Sequence, residues 1–395
     1  MGSFGPARLP GTGRRRSASG KRTRLQASFL NQVMQGSGSN FPEISSFPKI
    51  LLNWLCWIYG ILVRMRLVFY RKKLLRSSHP GIPVISVGNL TVGGTGKTPM
   101  VGFLTESSQQ AGWKPAIISR GYRNRSHEKI QRARFCENSN LDVDAFGDEP
   151  SMLALKNPEV PVYVSASRVD AAEVAKVRDN PEILILDDAY QHLKIKRDLN
   201  LLLVDAERGF GNSQLLPLGP IREPLESAER ADAVIVTKSN LGNFDEVIQT
   251  VLKFKRDDCP IFQFNYRIEK ITSLDGQEDK ETSELKGKRL LLSSGIANPQ
   301  SFSKMLKLEE GCPVAEMRFE DHHNYSESSI RNMIEQGKNT PHDFWLTTEK
   351  DAVKLKSFQQ QLKQLWVVKM KIQPDPEWPA FFNRFLDGLS KTSLN

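Results

Sequence analysis

The stretch Ile85-Ser-Val-Gly-Asn-Leu-Thr-Val-Gly-Gly-Thr-Gly-Lys-Thr-Pro99 decides how this chain is read. The run from Ile82 to Val87 reads as a buried strand, and a glycine-rich turn follows it. Lys97-Thr98 then opens a helix whose first turn tolerates Pro99, because no backbone N–H there has an intrahelical partner to lose. This is the layout of a phosphate-cradling loop. Glycines let backbone N–H groups wrap phosphate oxygens, the lysine supplies a point charge, the threonine hydroxyl is suited to Mg²⁺, and the helix N-terminus adds its dipole. The expected nucleotide-binding residues are Thr91, Gly93, Gly94, Thr95, Gly96, Lys97 and Thr98. One position departs from the general pattern, which asks for glycine where Thr91 stands.

The rest of the chain is long enough for two domains plus extensions, at 395 residues. Its net charge of +10 invites a nucleic-acid reading, but the distribution argues otherwise. Residues 1–76 hold 14 Lys/Arg and one acid, Glu43, so residues 77–395 carry 41 bases against 44 acids. The body is mildly acidic and gives no reason to expect a nucleic-acid groove. Cys56, Cys136, Cys259 and Cys312 show no paired spacing, so neither a zinc site nor a disulfide framework is indicated.

Residues 1–42 are rich in Arg, Ser and Gly and contain no acid, which fits a transit peptide; an unstructured tail is the plainer alternative. The expected destination is the mitochondrion, matrix face of the inner membrane, with the plastid as runner-up. Residues 43–76 carry an apolar core from Ile50 to Val63, 14 residues broken by Asn53. A spanning helix needs about 20. Trp54, Trp57, Tyr59 and Tyr70 favour the headgroup level, and the basic cluster from Arg64 to Lys73 favours anionic lipid. An interfacial helix at a peripheral membrane surface is expected, against a buried first helix of the body.

Within the body, apolar runs at Pro83–Val87, Pro115–Ser119, Pro161–Val164, Ile183–Asp187, Asn200–Val204, Ala233–Thr237 and Ile261–Phe264 alternate with helical stretches such as Pro99–Gln110 and Arg168–Arg178. The pattern predicts an α/β fold, a P-loop NTPase-like and mostly parallel sheet with helices on both faces. Residues 77–264 read as the nucleotide-binding domain and polar, turn-rich residues 265–285 as a linker that could hold a hairpin. Residues 286–395 read as a smaller α/β domain closing the cleft, with strands at Arg289–Ser293, Asp343–Thr347 and Trp366–Ile372 and helices around Gln300–Leu308 and Ser326–Gln336.

Several motifs carry chemistry. Ile183-Leu-Ile-Leu-Asp-Asp188 is a buried strand ending in two acids, 90 residues after Lys97, and is suited to deliver Asp187 or Asp188 to the nucleotide's metal. Next comes Ala189-Tyr-Gln-His192, where His192 either touches phosphate or is merely exposed. Ser119-Arg-Gly-Tyr122 has the form of a tight turn after a strand. In Gly147-Asp-Glu-Pro150 an acid could serve as general base, though spacing alone favours a turn cap for Asp148. The proline-rich loop Leu216-Pro-Leu-Gly-Pro-Ile-Arg-Glu-Pro224 either is structural or aims Arg222 at an anion. Asp321-His-His-Asn-Tyr325 lacks the ligand spacing of a metal site and suits an acid–base or substrate role, and Thr347-Thr-Glu-Lys-Asp-Ala352 ends a strand at the cleft. Thr237-Lys-Ser-Asn240 lacks the aspartate with which GTPases read guanine.

Taken in order, these motifs, together with Ser294-Gly-Ile-Ala-Asn-Pro299, resemble the tetraacyldisaccharide 4′-kinase family, whose phosphate loop carries threonine where Thr91 stands. The resemblance implies two α/β domains and transfer of the ATP γ-phosphate to the 4′-hydroxyl of a tetraacylated glucosamine disaccharide 1-phosphate, in lipid A biosynthesis, at a membrane surface; a monomer is expected. By residue matching it implies Asp148 as base, His322 in support, Asp187 and Asp188 near Mg²⁺, and His192, Arg222 and Glu223 near the reacting phosphates. Ala189 stands where the family has glycine. The targeting leader is foreign to bacterial members and suggests an organelle-imported, plant-like homologue. The alternatives from other classes are a P-loop ATPase switch or chaperone without a lipid acceptor, and a non-catalytic nucleotide-binding module.

Overall fold

The computed structural model describes residues 46–121, 129–133 and 146–392. The leader (residues 1–42), Cys136 and Tyr122 lie outside them. Along the chain, helix α1 (Ser46–Arg71) precedes β1 (Val84–Gly88), α2 (Lys97–Gln110), β2 (Pro115–Ser119), β3 (Gln131–Ala133), α3 (Asp148–Lys156), β4 (Val162–Val164), α4 (Arg168–Asp179), β5 (Ile183–Leu186), β6 (Leu199–Asp205), β7 (Ala233–Thr237) and α5 (Phe244–Val251). After β8 (Ile261–Ser273) and β9 (Asp279–Lys280) come β10 (Arg289–Ser294), α6 (Pro299–Leu308), β11 (Cys312–Arg318), α7 (Glu327–Asn339), β12 (Phe344–Thr348), α8 (Glu349–Leu355), β13 (Leu365–Gln373) and α9 (Trp378–Thr392).

All the described strands join one sheet in the order β11-β10-β12-β13-β8-β7-β6-β1-β5-β2-β4-β3, with β9 paired to β8. The strands β1, β2 and β4 to β7 are parallel, and so are β10 to β13 among themselves. Successive residues of β1 serve opposite faces, as the pleat requires. Ile85 and Val87 pack with Met100, Val101 and Leu104 of α2, while Val84 packs with Ala171, Ala172 and Ala175 of α4. A parallel sheet covered on both faces explains the continuous apolar runs in the sequence.

Strand β8 corrects the linker reading of residues 265–285. Its first residues pair in parallel with β7, ending at Thr237 opposite Phe264. Its remaining residues pair antiparallel with β13, from Asn265 opposite Gln373 to Ser273 opposite Trp366. Phe262, Phe264, Tyr266 and Ile268 are buried at alternate positions, a period-2 signal that Asn265, Arg267 and Glu269 on the outer face obscure when composition alone is weighed. The expected hairpin is present as the β8–β9 pair. Because β13 runs back along β8, the C-terminal ends of β10, β12 and β13 point toward the C-terminal ends of β1, β5 and β7. Two parallel fields thereby face each other carboxyl edge to carboxyl edge.

Helix α1 matches neither a buried core helix nor a fully free one. Leu52, Cys56, Tyr59, Gly60, Val63, Arg66, Leu67 and Tyr70 form a buried or half-buried stripe at helical spacing, and Ile50, Leu51, Trp54, Leu55, Trp57, Ile58, Ile61, Leu62, Met65, Val68 and Phe69 are exposed, with Trp54 at 60% and Trp57 at 62%. Ile50–Arg71 is 22 residues long and contains an 18-residue stretch of mean hydropathy 1.4, so the helix is long and apolar enough to cross a membrane by length and composition. At the other end of the chain α9 folds back over β8, where Trp378 stacks on Phe382 and meets Phe262 and Phe264 edge-on. Trp378→Ala leaves a cavity at the junction of the two fields, and equilibrium urea unfolding should show a loss of about 3–5 kcal/mol. A loss below about 1 kcal/mol would mean that α9 is dispensable to the core.

Candidate active site

The phosphate loop leaves β1 at Gly88 and enters α2 at Lys97. Gly93 (φ 105) and Gly96 (φ 79) take left-handed backbone that L side chains avoid, and a Cβ on Gly96 would lie 2.1 Å from the Tyr266 hydroxyl. Two hydroxyls hold the loop from behind. Thr237 donates to the Thr95 carbonyl at 3.0 Å and Tyr266 of β8 to the Gly96 carbonyl at 3.0 Å. Pinning carbonyls from behind leaves the opposite side of the peptides, where N–H groups point, to the ligand. Thr91 is buried and serves the loop's other strand-like edge: it bridges to Ile221, and Val92 N–H donates to the Pro220 carbonyl at 2.8 Å. The threonine that departs from the general pattern therefore ties the loop to the segment carrying Arg222.

The two acids after β5 have different environments. Asp188 (φ 48) accepts twice from Arg222 Nη1, at 3.0 and 3.1 Å, and lies 3.7 Å from Lys97 Nζ. Burial works to raise its carboxyl, but Lys97 and Arg222 outweigh it and hold the group well below the ordinary carboxylate range. Asp187 is 1% exposed; its Oδ2 accepts from Ser119 at 3.2 Å, and its Oδ1 is buried with no hydrogen-bond partner. Burial, with Glu149 and Asp188 nearby, pushes it up to about 7. Of the two acids expected to face a metal, one or both, Asp188 is paired with Lys97 and Arg222, and Asp187 is the one that keeps a buried oxygen without a hydrogen-bond partner. No group of three or more His, Cys, Asp and Glu suited to a metal occurs among the described residues. Ala189 is buried and is not among the left-handed residues, so its methyl meets no backbone penalty.

His192 is held neutral. Burial, with Arg168 and Arg120 adding to it, pushes its imidazole down to about 4, so it can meet a phosphate as an N–H donor and not as a cation. Glu223 is placed differently from expectation. Its buried carboxylate pairs with Arg230 at 2.5 Å and with Arg66 of α1 at 3.5 Å, so it anchors the helix and the loop.

Asp148 heads α3, and so sits at a helix N-terminus instead of capping a turn. Its Oδ2 lies 2.9 Å from His322 Nδ1 and 2.6 Å from Lys354 Nζ, both carried by the second field. His322 itself is left-handed (φ 62). Lys350 lies 3.3 Å from His322 Nε2 and donates to Asp321 at 2.7 Å. An ammonium is donor only, so Nε2 faces it as acceptor and Nδ1–H donates to Asp148. Asp351 accepts from Tyr325, Thr348 and Gly295 N–H, and therefore fixes the loops around His322 and does not face the cleft.

Sequence reasoning missed Lys354 and Arg168. Lys354 sits four residues after Lys350 on one face of α8, a spacing legible once α8 is known to be a helix. Buried Arg168 donates to the Asp187 carbonyl at 3.1 Å and so orients that acid.

A phosphate loop on a parallel α/β sheet, an acid aimed at a cation, and an Asp–His pair across the cleft define a P-loop phosphotransferase. Residues 48–389 match the family described as Tetraacyldisaccharide-1-P 4′-kinase. The chain belongs to that family and is a kinase. It is 35% identical over 330 residues to a tetraacyldisaccharide 4′-kinase of Bdellovibrio bacteriovorus, covering 82% of this chain and 94% of the relative. The Geobacter sulfurreducens enzyme of the same name is 35% identical over 320 residues, 81% of this chain and 88% of its own. A crystal structure described as the "apo" form of LpxK from Aquifex aeolicus in complex with ATP superposes with a TM-score of 0.67 at 29% identity, covering 85% of this chain and 98% of that one.

The environment of Asp148 makes a pH prediction. Burial works to raise its carboxyl, but hydrogen bonds from His322 and Lys354 and their charges hold it below the ordinary value. A depressed folded value contributes stability above the ordinary carboxylate range, and that stability is lost as pH falls through the folded value. Lys354→Met removes one of those causes. The acid limb of kcat against pH should move upward, with the alkaline limb unmoved; an unmoved acid limb would remove Lys354 from the site.

Proposed function

We propose that this chain transfers the γ-phosphate of ATP to the 4′-hydroxyl of a tetraacylated glucosamine disaccharide 1-phosphate at a membrane surface. The Asp148–His322 pair across the cleft carries this reading: an ionised carboxylate oriented by an imidazole suits taking the proton of an acceptor hydroxyl. Asp148 takes the hydroxyl proton as the sugar oxygen bonds to phosphorus, and the bond to the bridging oxygen breaks to release ADP. His322 Nδ1–H and Lys354 hold Oδ2 and so keep the carboxylate oriented. The loop N–H groups, Lys97 and Arg222 hold the phosphates in line and meet the charge that spreads onto their oxygens.

The residues fit a Mg²⁺ ion. Orphaned Asp187 Oδ1 is a ligand oxygen without its cation, Thr98 opens α2 with a hydroxyl, and Mg²⁺ asks for only one or two carboxylates besides phosphate and water. Held there, it would neutralise charge that develops on the phosphate oxygens. For the lipid, a cavity of about 480 Å³ opens between α1 and the loop that follows β6, lined in part by Trp57, Ile61, Leu215, Ile221, Leu225 and Phe254. Its apolar walls suit an acyl chain, and the exposed Trp54, Trp57 and Leu62 suit a bilayer surface. The basic leader supports import into a mitochondrion, or else a plastid, and with it a eukaryotic host. The body's near-balanced charge supports a lipid in place of a nucleic-acid partner.

The full chain with labelled ATP and the tetraacyl disaccharide 1-phosphate in detergent micelles should move label to the lipid, and Asp148→Ala should cut the rate by about 10²–10⁴-fold. Hydrolysis that needs no lipid and is indifferent to Asp148→Ala would support the ATPase switch instead.

A further inference from the structure

Helix α1 makes more than apolar contact with the body. Tyr59, half-buried on its inner stripe, donates its hydroxyl to the Arg222 carbonyl at 2.6 Å. Two turns further on, Arg66 donates to the Gln191 carbonyl at 2.7 Å and lies 3.5 Å from the buried carboxylate of Glu223. Gly60 allows this approach: a Cβ there would lie 3.1 Å from the Leu215 side chain. The segments gripped are those that follow Asp188 and that carry Arg222.

Each grip continues inward to one lysine. From Tyr59 the path runs through Arg222, whose guanidinium clamps Asp188, and Asp188 lies 3.7 Å from Lys97 Nζ. From Arg66 it runs through Gln191, whose side-chain amide donates to the Asn89 carbonyl at 2.9 Å. The Asn89 side-chain oxygen in turn accepts from Lys97 Nζ at 3.4 Å. Other residues would suffice to glue an amphipathic helix down: its inner stripe already offers Leu52, Val63 and Leu67, and the surface pair Arg71–Glu229 sits at its end. Two polar side chains spent on the backbone beside Asp188, Arg222 and the phosphate loop have a different consequence. They fix where the cationic groups of the loop stand.

We propose that Tyr59 and Arg66 are positioning residues for phosphoryl transfer, setting Arg222 and Lys97 from the membrane-facing helix through these two routes. The proposal rests on the kinase reading above. It makes α1 part of the transfer machinery as well as an anchor: a helix seated at a lipid surface holds the phosphate cations in register, and a helix pulled off its seat releases both routes together.

The test uses the full chain and the micelle assay, with Tyr59→Phe, Arg66→Met, Arg66→Lys and the double variant Tyr59→Phe/Arg66→Met. None of these changes the exposed apolar face. For Tyr59→Phe and Arg66→Met, kcat should fall roughly tenfold, the order expected when groups at a reacting phosphate are displaced, while KM for the lipid and partition onto anionic vesicles stay as in wild type. Arg66→Lys should recover part of kcat. The double variant should lose less than the product of the single losses, since both routes end on Lys97. Unchanged kcat, or a raised lipid KM and weakened vesicle partition with kcat intact, would leave α1 as an anchor only and overturn the proposal. So would a loss of kcat matched by an equal loss of nucleotide-binding sites on titration, which is misfolding. Absence of label transfer by wild type would contradict the kinase reading instead; the positioning is then read from nucleotide affinity, which must weaken in both single variants.

Discussion

The pairing of β8 with β7 on one side and β13 on the other is the constraint on which the site depends. Parallel sheets collect chemistry at the carboxyl ends of their strands, and a second parallel field added in the same sense would have placed its own edge beside the first. Reversal at Asn265 opposite Gln373 turns that edge inward. The phosphate loop and Asp187 then look across at His322, Lys350 and Lys354. One apolar cluster continues through the junction, from Ile85 and Val87 by way of Phe264 to Leu346 and Trp378, so both edges rest on one core. Tyr266 makes the dependence local: the strand that joins the fields also donates the hydroxyl that pins the Gly96 carbonyl.

On this frame the charges are separated by role. Asp188 is surrounded by Lys97 and Arg222 and stays ionised, which keeps those cations together at the place a polyphosphate would occupy. Asp187, one residue earlier, is buried with an unpartnered oxygen, and burial, with Glu149 and Asp188 nearby, raises its carboxyl. Asp148 is depressed by partners from the other field and stays able to take a proton. Three acids with nearly equal intrinsic chemistry are set to three tasks by what stands within about 4 Å of each.

The parts of this that were legible in the sequence are the parts with local causes. Glycines at left-handed positions, a lysine at a helix start and apolar runs of strand length mark β1, α2 and β5 without reference to the rest of the chain. Pro299 after the capping Asn298 does the same for α6. What stayed hidden depends on distant partners. From spacing alone Asp148 reads as a turn cap; only the family resemblance pairs it with His322, 174 residues away, which the fold brings to 2.9 Å. Pro150 in Gly147-Asp-Glu-Pro150 suggests a turn, yet it lies within the first turn of α3, where a missing N–H does no harm. Strand β11 and helix α9 carry no such local mark: an edge strand needs only weak patterning, and the apolar face of α9 finds its partner only in β8. The family resemblance puts Glu223 at the phosphates; its burial between Arg66 and Arg230 depends on Arg66, a partner far away in the sequence.

The central claim is that two halves of one sheet meet to make a single proton-accepting unit from Asp148 and His322. A double-mutant cycle on kcat with Asp148→Asn and His322→Ala tests it most directly. If the two act as one unit, the double variant should be slowed about as much as the slower single variant. Losses that multiply independently would contradict the pairing, and with it the facing of the two carboxyl edges on which this account rests.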